Sequence, residues 1–173
     1  MNHSLIEKIK SFFTEIQVDL REEDRIVLTT KQESAMAVLS FLKDLGFNHL
    51  ALISCVDWIN ENKFELVYIL SAYMQEDEQY NPDRDKINII LKTKISREKP
   101  QFLSVIPIFK NAEPYEREIH ELFGVHFVGH PRLTPLLLCK EYKIPPFRKD
   151  FDTRDYVKNF FDKIPFVQEK AKK

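Results

Sequence analysis

A chain of 173 residues, 43% hydrophobic and 31% charged, has the length for one domain built around one core. A formal charge of -1 offers no strong field for nucleic acid, and two widely separated cysteines, Cys55 and Cys139, offer neither a disulfide framework nor the close spacing of a zinc or iron–sulfur site. Three glycines, Gly46, Gly124 and Gly129, cannot compose a phosphate-binding loop, which excludes most self-contained nucleotide enzymes.

From the start, Met1-Asn2-His3-Ser4 lacks the basic-then-apolar profile of a signal peptide. No apolar run approaches the roughly 20 residues of a spanning helix. The expectation is a cytoplasmic protein that meets a membrane only through a partner. Leu5, Ile9, Phe12, Phe13 and Ile16 recur at helical spacing and predict a first amphipathic helix. Two short strands flank the charged turn Arg21-Glu22-Glu23-Asp24. Thr30-Lys31-Gln32-Glu33 has the form of a capping box, with Ala35, Val38, Leu39, Leu42 and Leu45 following on one helical face and Gly46 at its end.

Leu50 to Val56 is a nearly continuous apolar run, the pattern of a buried strand. Phe64, Leu66, Tyr68 and Leu70 alternate with Glu65, Val67 and Ile69, and Ile87, Ile89, Leu91, Thr93 and Ile95 alternate in the next segment. Three successive strands without a crossover helix predict an antiparallel meander. The polar, acidic residues 74–84 between the last two read as an exposed loop. A third helix should start near Asn111, with Pro114 in its first turn, and end at Gly124. From about residue 131 onward, prolines, apolar clusters and a basic excess occur without periodicity. The fold expected is α+β: an antiparallel sheet with helices on one face over residues 1–130, then an extended irregular segment over 131–173 that lies on the domain or on another protein and is poorly ordered, or held in extended form, when the chain is alone.

The charged helix holds the candidates for chemistry. Glu116 and Glu118 point roughly 200° apart on a helix and cannot flank one bond, which argues against glycosidase chemistry. Glu113, Arg117 and Glu121 are spaced four apart and can pair on one face. Arg117 is expected to be partly buried, paired with Glu113, Glu121 or a carbonyl of the tail, because a buried unpaired guanidinium is too costly. His126 and His130 have metal-site spacing, but Gly129 and Pro131 break the helix it would require. A lone hydrolase using Glu116 or Glu118 with a histidine would need a deep pocket around a raised-pKa carboxylate, and a small binding module would need an uncovered strand edge.

One stretch carries more than its periodicity. Tyr115-Glu116-Arg117-Glu118, Glu121-Leu122-Phe123-Gly124, Phe127, Gly129-His130-Pro131, Leu133 and Leu136-Leu137 closely resemble the signature of the 30-kDa subunit of respiratory complex I. Arg148-Lys149-Asp150-Phe151 resembles the family's later Arg-Lys-Asp-Tyr element. Arg132, Thr134-Pro135, Ile144-Pro145 and Phe109 depart from the usual pattern, and a relative of the domain serves in membrane-bound, energy-converting hydrogenases. The resemblance implies a non-catalytic subunit of the hydrophilic arm of an NADH:quinone oxidoreductase, peripheral on the cytoplasmic side, holding no flavin, cluster or metal of its own. Its partners would be the large 49-kDa-like subunit and the small iron–sulfur 20-kDa-like subunit, with no nucleic acid. Tyr115, Glu116, Arg117, Glu118, Glu121, Phe123, Gly124, Gly129, His130, Pro131, Arg148, Lys149 and Asp150 would form the motif and the partner interface.

Overall fold

The computed structural model describes residues 2–22, 24–72, 87–138 and 142–160. The acidic stretch 74–84, Cys139 and the chain beyond residue 160 lie outside them. In chain order the elements are α1 (Asn2–Phe12), β1 (Gln17–Glu22), β2 (Arg25–Thr30), α2 (Gln32–Asp44), β3 (His49–Trp58), a 3-10 turn (Ile59–Glu61), β4 (Lys63–Ser71), β5 (Asn88–Ser96), β6 (Gln101–Leu103), α3 (Ala112–Phe123), β7 (His126–Val128) and α4 (Thr153–Phe160).

Five strands form the main sheet in the order β1-β2-β5-β4-β3. The meander read from alternation is present: β3 pairs with β4, and β4 with β5, antiparallel. The β1–β2 hairpin joins it through a parallel β2–β5 pair that sets Ile26 beside Ile89 and Leu28 beside Leu91. The sheet is therefore mostly antiparallel with one parallel seam, which α2 makes possible by carrying the chain from β2 to the far edge. A separate pair of three-residue strands, β6 and β7, runs parallel.

One face of the sheet is the core. Ile26 and Leu28 of β2, Ile53 and Cys55 of β3, Phe64, Leu66, Tyr68 and Leu70 of β4, and Ile89, Leu91 and Ile95 of β5 form one cluster with Ile9 of α1, Val38, Leu39 and Leu42 of α2, and Ile119 of α3. Each fully buried aliphatic contributes about 1.5–3 kcal/mol relative to exposure. The opposite face keeps Val27, Val67, Ile69 and Ile90 half-buried among Lys92 and Lys94, with Leu52, Val56 and Trp58 more open.

Helix ends follow local chemistry, with one departure. Thr30 does not cap α2: it pairs with Thr93 in the β2–β5 seam, so the helix starts a residue later with Lys31 at the N-cap and no side-chain cap. The ladder thus takes the backbone that the capping box needed. At the other end Gly46, at φ 96°, donates its amide to Lys43, while Phe47 reaches back to Leu42.

Candidate functional site

Helix α3 carries the motif and divides it between two faces. Asn111 occupies the N-cap but spends its amide on the Leu50 carbonyl at 2.8 Å, and the Tyr115 hydroxyl donates to the Ala51 carbonyl at 2.9 Å. These two bonds lie at the irregular step of edge strand β3, between Leu50 and Leu52, and lock the helix to the sheet.

On the inner face Glu116 is completely buried. Its carboxyl accepts from the Ser104 hydroxyl at 2.7 Å and the Val105 amide at 2.6 Å. Burial pushes its pKa up to about 7, although both hydrogen bonds pull the other way. Nearby, the Tyr68 hydroxyl is buried without a partner, and its own pKa is raised by burial and by the charge on Glu116. Glu116 fastens the turn before α3 to the helix. It has no exposed surface.

On the outer face Arg117 and Glu121 hold the chain after residue 131. The Arg117 side chain is 11% exposed and pairs with Glu113 at 3.3 Å. It donates to the carbonyls of Thr134 at 3.0 Å and Pro135 at 2.8 Å. Glu121 accepts from the amides of Leu136 at 3.1 Å, Leu137 at 2.9 Å and Leu138. Burial would raise the Glu121 pKa, but these three amides and the charge of Arg117 hold it below the usual carboxylate range. The spacing-based expectation for Arg117 is met by Glu113 and by tail carbonyls, and Glu121 serves the same strap through its other atoms.

A second fastening lies at the end of the sheet. Arg97 forks onto Asp57, with Nε 2.8 Å from one oxygen and Nη2 3.1 Å from the other, and also reaches Asp150 at 2.6 Å. The Lys149 amide donates to Asp57 at 2.8 Å. The Arg97 and Asp57 side chains are only 10% and 2% exposed. Burial opposes the charge on Asp57, but Arg97 and the Lys149 amide more than offset it, and both Asp57 and Asp150 titrate below the ordinary range. Arg148 and Arg97 both stand over the Phe64 ring, with centroid distances of 5.3 and 5.6 Å.

Residues 133–138 and 142–151 are therefore strapped to their own domain. Within this stretch the hydrogen bonds of Arg117, Glu121 and Asp57 run to backbone groups of the strap. Asp57, in phase with the core-facing residues of β3, takes its cation from Arg97, and Arg97 and Arg148 together hold Asp150 of the strap, Arg148 at 3.5 Å. Phe123 bridges the rings of Phe64 and Phe147, with centroids 6.0 and 5.9 Å away. Gly124 sits at φ 80° against Pro145 of the strap, and Gly129 at φ 88° closes the turn after β7. Glu118 is half-buried and Pro131 exposed.

The histidines do not converge on a ligand. His120 Nδ1 lies 2.8 Å from the Val125 carbonyl, and His130 Nε2 lies 3.3 Å from the Glu113 carbonyl. His126 is on strand β7, exposed. Among the described residues no group of three or more His, Cys, Asp or Glu side chains could hold a metal. Cys55 is buried and its thiol is pushed well above its usual range, chiefly by burial. The Asp57–Arg97 pair does not stand out in the sequence, yet it leaves a signal there. Asp57 is a carboxylate in phase with Ile53 and Cys55 on the core side, and Arg97 continues the row of Thr93 and Ile95.

Buried ion pairs, a buried carboxyl and a doubly fastened strap hold one α+β domain together. A family model described as respiratory-chain NADH dehydrogenase, 30 Kd subunit, matches residues 28–157, and the chain belongs to that family of electron-transport subunits. It is 31% identical to a subunit of the F(420)H(2) dehydrogenase of Methanosarcina mazei, over 86% of this chain and 90% of that one. It is 28% identical to a subunit of the NADH-quinone oxidoreductase of Citrifermentans bemidjiense, over 87% and 89%. A chain in the structure of the membrane-bound sulfane sulfur reductase, an archaeal respiratory membrane complex, superimposes with a TM-score of 0.82 at 27% identity, covering 99% of this chain and 98% of that one. No helix among the described residues is long and apolar enough to cross a membrane.

Proposed function

We propose that this chain is a structural subunit of the hydrophilic arm of a respiratory oxidoreductase, without a donor, acceptor or cofactor site of its own. It sits peripherally on the cytoplasmic side and touches the membrane only through the complex. Residues 1–130 form its body. The outer surface of the segment from 131 onward packs on a large 49-kDa-like subunit, close to a small iron–sulfur 20-kDa-like subunit. The observation that carries the reading is the use of the family motif. Glu116, Arg117, Glu121 and Asp150 are taken up in fastening one part of the chain to another, which leaves exposed Lys149 and the strap's apolar side chains to face a partner. The relatives support it too. Their names cite F(420)H(2) in one case and NADH and quinone in the other, so a role common to them is one that does not depend on the donor.

The test is purification of the tagged chain from mild detergent extracts, with metal analysis and an absorption spectrum of the free chain. The reading expects stoichiometric recovery with cluster-bearing subunits and a colourless, metal-free chain alone. A free chain that keeps a tightly held stoichiometric metal or flavin would overturn it.

A further inference from the structure

Three arginines reach into the fold, and one of them keeps its donors unspent. Arg97 forks onto Asp57 and reaches Asp150. Arg117 donates to Glu113 and to the carbonyls of Thr134 and Pro135. Arg148 does nothing comparable. Its side chain is 19% exposed, its Nε is buried, and among the described residues no oxygen accepts a hydrogen bond from its guanidinium. Asp150 Oδ1 lies 3.5 Å from that Nε, but Arg97 already donates to the same oxygen at 2.6 Å. A guanidinium carries five N–H donors and no acceptor, so the shortfall is large.

The group is held in place. Its central carbon stands 5.3 Å from the centroid of the Phe64 ring. Its backbone closes two turns: the Arg148 amide donates to the Pro145 carbonyl at 3.1 Å, and the Phe151 amide donates to the Arg148 carbonyl at 3.0 Å. Phe64, Phe123 and Phe147 form a row of rings, with Arg148 over the first and the last 60% exposed. Lys149, the next residue, is exposed, and its side chain makes no ion pair. Arg97, Arg148 and Lys149 thus face two carboxylates, Asp57 and Asp150. The cluster carries a surplus positive charge together with free N–H donors. A planar carboxylate can take two such donors at once. A fixed arginine near an exposed aromatic ring is also a common centre of a protein contact.

We infer that an Asp or Glu carboxylate of a partner subunit lands on the Arg148 guanidinium, with apolar surface beside that acid covering Phe147. The inference rests on the subunit reading above and adds to it one contact and its chemistry. A free anion would satisfy Arg148 but leave Phe147 in water. A partner side chain on a protein surface answers both.

The experiment uses the full tagged chain in cells that make the whole complex, with Arg148→Met and Lys149→Glu. Arg148→Met keeps packing over Phe64 and removes the donors, and should lower recovery of the other subunits by about tenfold or more. Lys149→Glu disturbs no side-chain contact of the fold and sets a competing carboxylate beside the guanidinium. The free variant should melt like the unaltered chain, while recovery falls by about threefold or more. A photoreactive phenylalanine analogue at position 147 should cross-link to a partner peptide that contains Asp or Glu. Changing that acid to its amide should lower recovery as Arg148→Met does, with no further loss when the two changes are combined. Unchanged recovery of both variants, or a cross-linked peptide without an acid, would overturn the carboxylate contact and leave the subunit reading intact. Loss of recovery in Arg148→Met alone, with a lowered melting temperature of that free variant, would assign Arg148 to the fold and overturn the contact as well. An unaltered chain that brings down no other subunit would sink the subunit reading, and this contact with it.

Discussion

Two carboxylates are almost equally hidden in this molecule and behave in opposite ways. Asp57 at the end of β3 meets a forked guanidinium and a backbone amide, and it stays ionised below the ordinary range. Glu116 on α3 meets a hydroxyl and an amide but no cation, and burial pushes its pKa up to about 7. Burial is common to both, so the difference lies in the neighbour's charge. The first site holds the strap by an ion pair. The second holds the turn before α3 by hydrogen bonds from a hydroxyl and an amide, with no counter-charge.

The comparison breaks most sharply at Arg97. Arg97→Ala leaves Asp57 buried beside Asp150 with no counter-charge, and should cost about 3–5 kcal/mol in a denaturant titration. Replacing both partners, Arg97→Met with Asp57→Leu, should recover much of that loss, because the penalty comes from the stranded charge.

Glu116 sharpens the other half. Its folded pKa lies above its unfolded value of about 4.5, so the folded state binds the proton more tightly. The contribution to stability is full below pH 4.5 and is lost as pH rises through about 7. At about 1.4 kcal/mol per pKa unit the loss is on the order of 3 kcal/mol. Glu116→Gln, neutral at every pH, should show no such decline in unfolding experiments between pH 5 and 8. Asp57, Asp150 and Glu121 have the opposite sign: each is lowered, so its contribution is present above about pH 4 and is lost as pH falls further.

Smaller effects belong to the strap. Arg117→Ala removes one ion pair and two carbonyl bonds, at a cost of about 1–3 kcal/mol, and should raise amide exchange over residues 134–138. Gly124→Ala places a Cβ 3.0 Å from Pro145 Cγ at a positive φ, whereas at Gly129 nothing lies within 4 Å. Both should lose about 1 kcal/mol from backbone strain, and Gly124→Ala more, in thermal melts.

The main elements were legible where periodicity is strong. The rows of β4 and β5, the apolar face of α2 and the stop at Gly124 follow from alternation, spacing and positive φ. Strands β6 and β7 were not legible, because three residues cannot establish a period. Nor was α4, whose residues Thr153–Phe160 are mostly polar. Thr30 misled because a local cap lost to a sheet partner 63 positions away, Thr93. The same limit applies to the site. Glu113 and Arg117 share a helix face and could be paired from spacing, but Asp57, Arg97 and Asp150 meet only once the sheet and strap are built.

Amide hydrogen exchange on the free chain tests the central claim, that the strap belongs to the fold before any partner arrives. The amides of Leu136, Leu137, Leu138, Phe147 and Lys149 all donate to α3 or β3. They should exchange slowly in the isolated protein, and Arg117→Ala should release the first three while leaving Lys149 protected. Exchange of all five at the rate of an unstructured peptide in the unaltered chain would show that the strap forms only on assembly, and would contradict the account.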